Sequence, residues 1–258
     1  MADPQAASRA TCRVLAVTGT DTEIGKTVIT RALAARARIL GLRVAAMKPI
    51  ESGISSRFTP RGSAAISDAQ QLADAAGGKD AIDVVGPITL EEPLAPMMAA
   101  NRAGVTIDLS ILDRARNTLS SGRDLLLVEG AGGILAPITR EYSFAHLFKR
   151  WDSDVLVVAG NRLGVLNHTL LTVRVAESEG LRVRAVILTD ISEKDPTIAE
   201  ATNYDALVSL LPHLPIYRFP WIDRIDDSSA LAAAASGAGL DRILLPDATA
   251  SHHLAPDA

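Results

Sequence analysis

The chain has 258 residues and a formal charge of −4, and 48% of its residues are hydrophobic. That is enough to bury one large α/β core, and it gives no general reason to expect nucleic acid or an anionic membrane surface as a partner. With only four Phe, two Trp and three Tyr, the core must be built from Ala, Val, Leu and Ile, and the one cysteine, Cys12, excludes an intramolecular disulfide and a cysteine metal cage.

Residues 1–11 read as a flexible arm that lacks the apolar centre of a secretory signal. No stretch approaches the ~18–20 apolar residues of a membrane span, so a cytoplasmic protein is the expectation. Cys12 reads as a small buried residue at the edge of a first strand, 13–18. That strand runs into Gly19-Thr20-Asp21-Thr22-Glu23-Ile24-Gly25-Lys26-Thr27, and a helical pattern fills 26–40. Strand, glycine-bounded loop and helix make a phosphate cradle: backbone N–H groups wrap the phosphates and the helix N-terminus adds positive potential. Lys26 would reach the β- and γ-phosphates and the Thr27 hydroxyl would ligate Mg²⁺, so a bound nucleoside triphosphate is expected. The loop is one residue longer than the common form, with Thr20 where the first glycine usually stands. Asp21, Thr22 and Glu23 place polar and acidic groups where a phosphate will lie. A phosphate grip gains nothing from that acid; a second substrate with amino groups, or a metal, would.

Further strands are expected at 43–47, 124–129, 154–159, 183–189 and 215–219, and helices at 67–76, 108–120, 165–179 and 197–210. Leu125-Leu126-Leu127-Val128 and Val155-Leu156-Val157-Val158 are apolar on both faces, as central strands of a helix-covered parallel sheet are. The alternation predicts a doubly wound, mainly parallel α/β sheet, a three-layer sandwich forming one domain over 12–245. Residues 246–258 read as a second flexible terminus, and its His252-His253 pair fits an exposed tail better than a metal site.

Two more segments carry chemistry. Asp124 to Gly133 is an apolar strand that ends in the carboxylate of Glu129 and is followed by a glycine-rich turn. This places an acid at the carboxyl edge of the sheet, beside the phosphate loop, where Mg²⁺ needs oxygen ligands. Lys48, in Met47-Lys48-Pro49-Ile50-Glu51-Ser52-Gly53, leaves strand two at the same edge. It is either a solvated surface lysine or one positioned by the stiff Pro49 and the turn at Gly53. Asp68 opens a helix, which Ser67 or Asp68 could equally cap.

Taken together, these segments resemble the dethiobiotin synthetase family of the P-loop NTPases. The resemblance also takes in Glu91-Glu92-Pro93-Leu94-Ala95-Pro96, Leu163-Gly164-Val165-Leu166-Asn167-His168 and Phe219-Pro220-Trp221, in the family's order from 13 to about 228. It implies an ATP-dependent ligase that joins 7,8-diaminononanoate and CO₂ (or bicarbonate) with Mg²⁺ as cofactor. In that reading Glu23, Ile24, Gly25, Lys26, Thr27 and Val28 hold the triphosphate, and Thr27, Asp68 and Glu129 ligate the metal. Lys48, with Lys26, is catalytic. Thr22, Ser52, Glu129, Gly130, Ala131 and Gly132 face the diamine and the phosphates. Val165, Leu166 and Asn167, from the partner subunit of a homodimer, bind the substrate carboxylate, and a helix N-terminus suits an anion. The base would lie against Thr189, Asp190, Pro220, Trp221, Ile222 and Asp227, with core packing as the alternative for Trp221.

One departure stands out: the family usually has asparagine where this chain has Thr189. One hydroxyl replaces a paired donor and acceptor, so weaker discrimination among nucleotide bases is expected. Two other classes share the phosphate loop. A related amide ligase usually carries a glutaminase domain with a catalytic cysteine, whereas the lone Cys12 here precedes the loop. A switch ATPase often has a second lysine five positions before Lys26, where this chain has Asp21.

Overall fold

The computed structural model describes residues 12–54 and 66–245. Both expected flexible termini, and the His252-His253 pair, lie outside the described residues. Cys12 is half-buried.

Six strands form one parallel sheet: β1 (Arg13–Gly19), β2 (Val44–Met47), β5 (Leu125–Gly133), β6 (Asp154–Gly160), β7 (Arg182–Thr189) and β8 (Ile216–Phe219), in spatial order β2-β5-β1-β6-β7-β8. Every strand of this sheet lies where an apolar run predicts it, and residues Leu125 to Val128 and Val155 to Val158 are fully enclosed. Between β1 and β2 the chain crosses by α1 (Lys26–Ile39), moving one way along the sheet. Between β6 and β7 it crosses by α7 (Val165–Ser178), moving the other way. Right-handed crossovers in opposite directions cover opposite faces, which makes the three layers. On one face α1 packs against α2 (Asp68–Ala76) and α9 (Ser228–Gly237); on the other, α7 packs on β6, β7 and α8 (Ile198–Leu210). Ile29 and Leu33 of α1 have no exposed surface, and each contributes roughly 1.5–3 kcal/mol by burial. Helix α5 (Leu109–Ser120) matches the predicted 108–120.

Some elements differ from the prediction. The glycine-rich turn expected after Glu129 is strand: β5 continues to Gly133, which pairs with Gly19 after a register shift in which β5 advances four residues to two of β1. Backbone pairing there outweighs the poor strand propensity of glycine. A separate parallel pair, β3 (Ile50–Ser52) and β4 (Ile88–Leu90), stands beside the main sheet. Helices α3 (Ile82–Val85), α4 (Pro96–Ala103), α6 (Phe144–Arg150), α9 and α10 (Asp241–Leu244) are likewise additions.

The strand register decides what meets at the carboxyl edge. Val17 of β1 lies opposite Glu129 of β5, and Met47 of β2 lies opposite Val128. Lys48, one residue past β2, therefore emerges beside Glu129, while the phosphate loop leaves β1 on the other side of that carboxylate.

Candidate active site

The loop between β1 and α1 is tight. A Cβ on Gly19 would lie 2.9 Å from the Asp21 carbonyl oxygen and from the Lys26 side chain, so only glycine fits that approach. Glu23 adopts a left-handed φ of 55°, a strain on the order of 1 kcal/mol. Lys26 is buried and donates from Nζ to the Asp21 carbonyl at 2.6 Å. Burial, and then the nearby charge of Lys48, depress its pKa to about 8. Asp21 itself pairs with Arg162 at 2.6 Å, which ties the loop to the segment leading into α7.

Glu129 is the centre of the site. It has no exposed surface, and its Oε1 accepts from the Thr27 hydroxyl at 2.8 Å and from Lys48 Nζ at 2.5 Å. Lys48 Nζ also lies 3.0 Å from Asp68 Oδ2. Two carboxylates from different elements thus share one cation, and the alternative of a solvated surface lysine is excluded: Lys48 is 5% exposed. Burial works to lower the Lys48 pKa, but the charges and hydrogen bonds of Glu129 and Asp68 outweigh it and the net shift is upward.

Asp68 is the first residue of α2, and Ser67, not Asp68, is its N-cap: Ser67 Oγ accepts from the Gln70 amide at 3.1 Å. A second acceptor serves the same helix end. Glu51 of β3, fully buried, takes the Asp68 amide at 2.7 Å on Oε1 and the Ala69 amide at 3.0 Å on Oε2. In the sequence the one signal for Glu51 is a carboxylate between Ile50 and Ser52 at an apolar strand exit.

The donor set suits a hard dication. Glu129 Oε2 is a buried oxygen with no hydrogen-bond partner among the described residues, an acceptor held ready beside Thr27 Oγ1 and Asp68. No three His, Cys, Asp or Glu side chains form a metal cage among the described residues. Two carboxylates and a hydroxyl match a Mg²⁺ that takes its remaining ligands from phosphates and water.

Thr22 and Glu23 are exposed at the loop tip, while Ile24 is buried and Val28 lies half-buried in the first turn of α1. Ser52, Ala131 and Gly132 are half-buried and Gly130 is buried, on β3 and on the far end of β5. Val165, Leu166 and Asn167 form the first turn of α7, which carries no acidic residue and no side-chain cap.

The expected base contacts divide. A cavity of about 510 Å³ opens at the ends of β6, β7 and β8, lined by Asn161, Asp190, Arg218, Trp221, Asp223 and residues 191–196. It adjoins the phosphate loop: a Cβ on Gly160 would lie 3.0 Å from Ile24 and 3.3 Å from Ile191. Trp221 is 44% exposed on its wall, which excludes plain core packing. Asp190 Oδ1 accepts from Asn161 Nδ2 at 2.9 Å, and Arg218 lies 3.1 Å from its Oδ2. Thr189 is not in the wall. It is 4% exposed, and its hydroxyl donates to the Ile24 carbonyl at 2.7 Å, so it braces the phosphate loop from below. Asp227 is also elsewhere: it is the N-cap of α9, accepting from the Ser229 amide at 2.8 Å and the Ala230 amide at 3.2 Å. Pro220 is exposed and Ile222 packs on the core; neither lines the cavity. The sequence missed Asn161, a buried polar side chain whose oxygen accepts from Asn203 at 2.9 Å.

A family model described as an AAA domain matches residues 13–229. The ATP-dependent dethiobiotin synthetase BioD of Anaeromyxobacter dehalogenans (strain 2CP-C) is 37% identical over 210 residues, covering 81% of this chain and 90% of that protein. The Bacillus subtilis (strain 168) protein of the same name is 37% identical over 194 residues, 75% of this chain and 81% of its own. Among solved structures, a chain of the MinC:MinD cell division protein complex of Aquifex aeolicus matches with a TM-score of 0.51 at 15% identity, covering 91% of this chain and 98% of its own; that likeness concerns the fold alone.

Proposed function

This chain belongs to the ATP-dependent dethiobiotin synthetase family, and from that premise we propose how its residues carry the reaction. The observation that carries the reading is the convergence of Lys26, Thr27, Lys48, Asp68 and Glu129 at one edge of the sheet. The synthetase domain spans 12–245 and works in the cytoplasm. Its substrates are 7,8-diaminononanoate, CO₂ and ATP.

One amine of the diamine adds to CO₂ and loses a proton, giving a carbamate. A carbamate oxygen then attacks the γ-phosphorus of ATP and ADP leaves. The second amine attacks the carbonyl carbon, phosphate departs, and the cyclic urea is complete. No side chain becomes covalently attached; positioning and charge supply the rate. Thr27, Asp68 and Glu129 would hold Mg²⁺, which supplies neutralising charge to the phosphates.

The chain's own groups do the rest. Two anions must approach one another for phosphoryl transfer, and that repulsion is what the lysines offset. Lys26 exchanges the Asp21 carbonyl for a phosphate oxygen. Lys48, fixed by two carboxylates, stands between carbamate and γ-phosphate. Thr22, Ser52 and the Glu129–Gly132 stretch face the amines. The first turn of α7, which has no side-chain cap, offers the Leu166 and Asn167 N–H groups to the substrate carboxylate across a two-fold dimer, the Val165 N–H being bonded to the Arg162 carbonyl at 3.2 Å. Leu163, beside that turn, is 86% exposed, apolar surface of the kind a partner subunit covers.

Phosphate release with and without the diamine tests this reading. A ligase releases phosphate only when the diamine is present; equal release without it would mark a switch ATPase instead.

A further inference from the structure

We propose that Glu51 is a positioning residue that sets the metal-binding carboxylate of Asp68 by clamping the N-terminus of α2. The proposal rests on the reading above that Asp68 ligates Mg²⁺. Amides in the first turn of a helix have no partner within it. A single side-chain cap is the usual remedy, and Ser67 already provides one. Glu51 adds a two-oxygen acceptor from a different element, on the consecutive amides of Asp68 and Ala69.

Gripping two adjacent amides fixes both the direction of the helix and its rotation about its axis, and the rotation decides where the Asp68 side chain points. The interaction is also favourable in itself: a carboxylate at a helix N-terminus gains from the dipole and from charge-assisted hydrogen bonds. Glu51 stands on β3, three residues after Lys48. One short segment therefore places both the ammonium and, through α2, the carboxylate that pairs with it at 3.0 Å. A second tie lies one turn further along: Arg31 Nη1 donates to Gln71 Oε1 at 2.8 Å, joining α2 to α1 four residues past Thr27. Metal affinity is sensitive to such outer contacts, which typically change it by about 10–100-fold.

The test is Mn²⁺ binding, followed by electron paramagnetic resonance with a non-hydrolysable ATP analogue, in wild type, Glu51→Gln, Asp68→Asn and the double variant. In Glu51→Gln an amide NH₂ replaces one acceptor and faces a backbone N–H. We expect Mn²⁺ to bind about tenfold more weakly in that variant, with metal-free nucleotide affinity within about twofold of wild type. If Glu51 acts through Asp68, the same change costs less than about twofold in the Asp68→Asn background. An unchanged Mn²⁺ affinity in Glu51→Gln, or an equal loss in both backgrounds, overturns the proposal. An unchanged affinity in Asp68→Asn alone overturns the ligand reading beneath it as well, so the two failures are distinct. Should Glu51→Gln not fold, hydrogen exchange on wild type decides: the Asp68 and Ala69 amides are protected like mid-helix amides, and exchange at the rate of uncapped first-turn amides would contradict the clamp.

Discussion

Lys48 is a charged group with almost no water around it, kept charged by Glu129 at 2.5 Å and Asp68 at 3.0 Å. Replacing it by glutamine keeps the bulk and removes the cation. If the group serves the transferring phosphoryl, as proposed, rather than ground-state binding, Lys48→Gln should retain less than about a tenth of wild-type turnover while nucleotide affinity changes by less than about threefold. Greater residual activity would remove Lys48 from the reaction. Lys26 makes a different prediction. Its ordinary pKa of 10.5 falls to about 8. Between those values the folded protein binds fewer protons than the unfolded chain, so nucleotide-free stability rises with pH through that window. A triphosphate reverses the shift. At pH 8 binding should take up roughly half a proton, and at pH 7, where Lys26 is already mostly charged, about a tenth. Calorimetry in buffers of different ionisation enthalpy reads this directly, and equal uptake at both pH values would exclude Lys26 as the source.

At the scale of elements, what the sequence disclosed and what it hid have separate causes. Central strands buried on both faces, such as Leu125 to Val128, leave continuous apolar runs, and those runs located all six strands of the main sheet. β3 and β4 have three residues each, too few for any period to register. α9 is a run of alanine and serine with little contrast between its faces, so its helical character lay in propensity rather than in pattern. Asp227, expected at the base from the family resemblance alone, is the cap of that helix. Lys48, Glu129 and Thr27 were legible because motif and strand order together fix their edge of the sheet. Glu51 was not, because its partners are backbone amides seventeen and eighteen residues away. The end of β7 carries a functional consequence. Thr189 spends its hydroxyl on the Ile24 carbonyl of the phosphate loop and has no second donor to offer a base. A well-formed pair of hydrogen bonds to a base edge is worth about 1–3 kcal/mol of discrimination. GTP and CTP should therefore support turnover within about tenfold of ATP. A preference for ATP of a hundredfold or more in purified enzyme would contradict this.

For the molecule as a whole, the proposed reaction calls on two chains. In the proposed dimer the phosphate loop, Lys48 and Glu129 would lie on one subunit, and the first turn of α7 that would receive the substrate carboxylate would come from the other. Lys48→Gln and Asn167→Asp subunits, each impaired alone, should complement when mixed. In a two-fold dimer, random exchange rebuilds one intact site per heterodimer, so about a quarter of wild-type activity returns. No recovery on mixing would place both halves of the site in one chain. The claim beneath all of this is that the converging lysines and carboxylates make a phosphorylated carbamate and close a ring with it. The direct measurement is mass detection of the cyclic urea after incubation with ATP, Mg²⁺, bicarbonate and 7,8-diaminononanoate. The account predicts dethiobiotin and phosphate in equal amounts from wild type and neither from Lys48→Gln; ATP hydrolysis by wild type without the urea would contradict it.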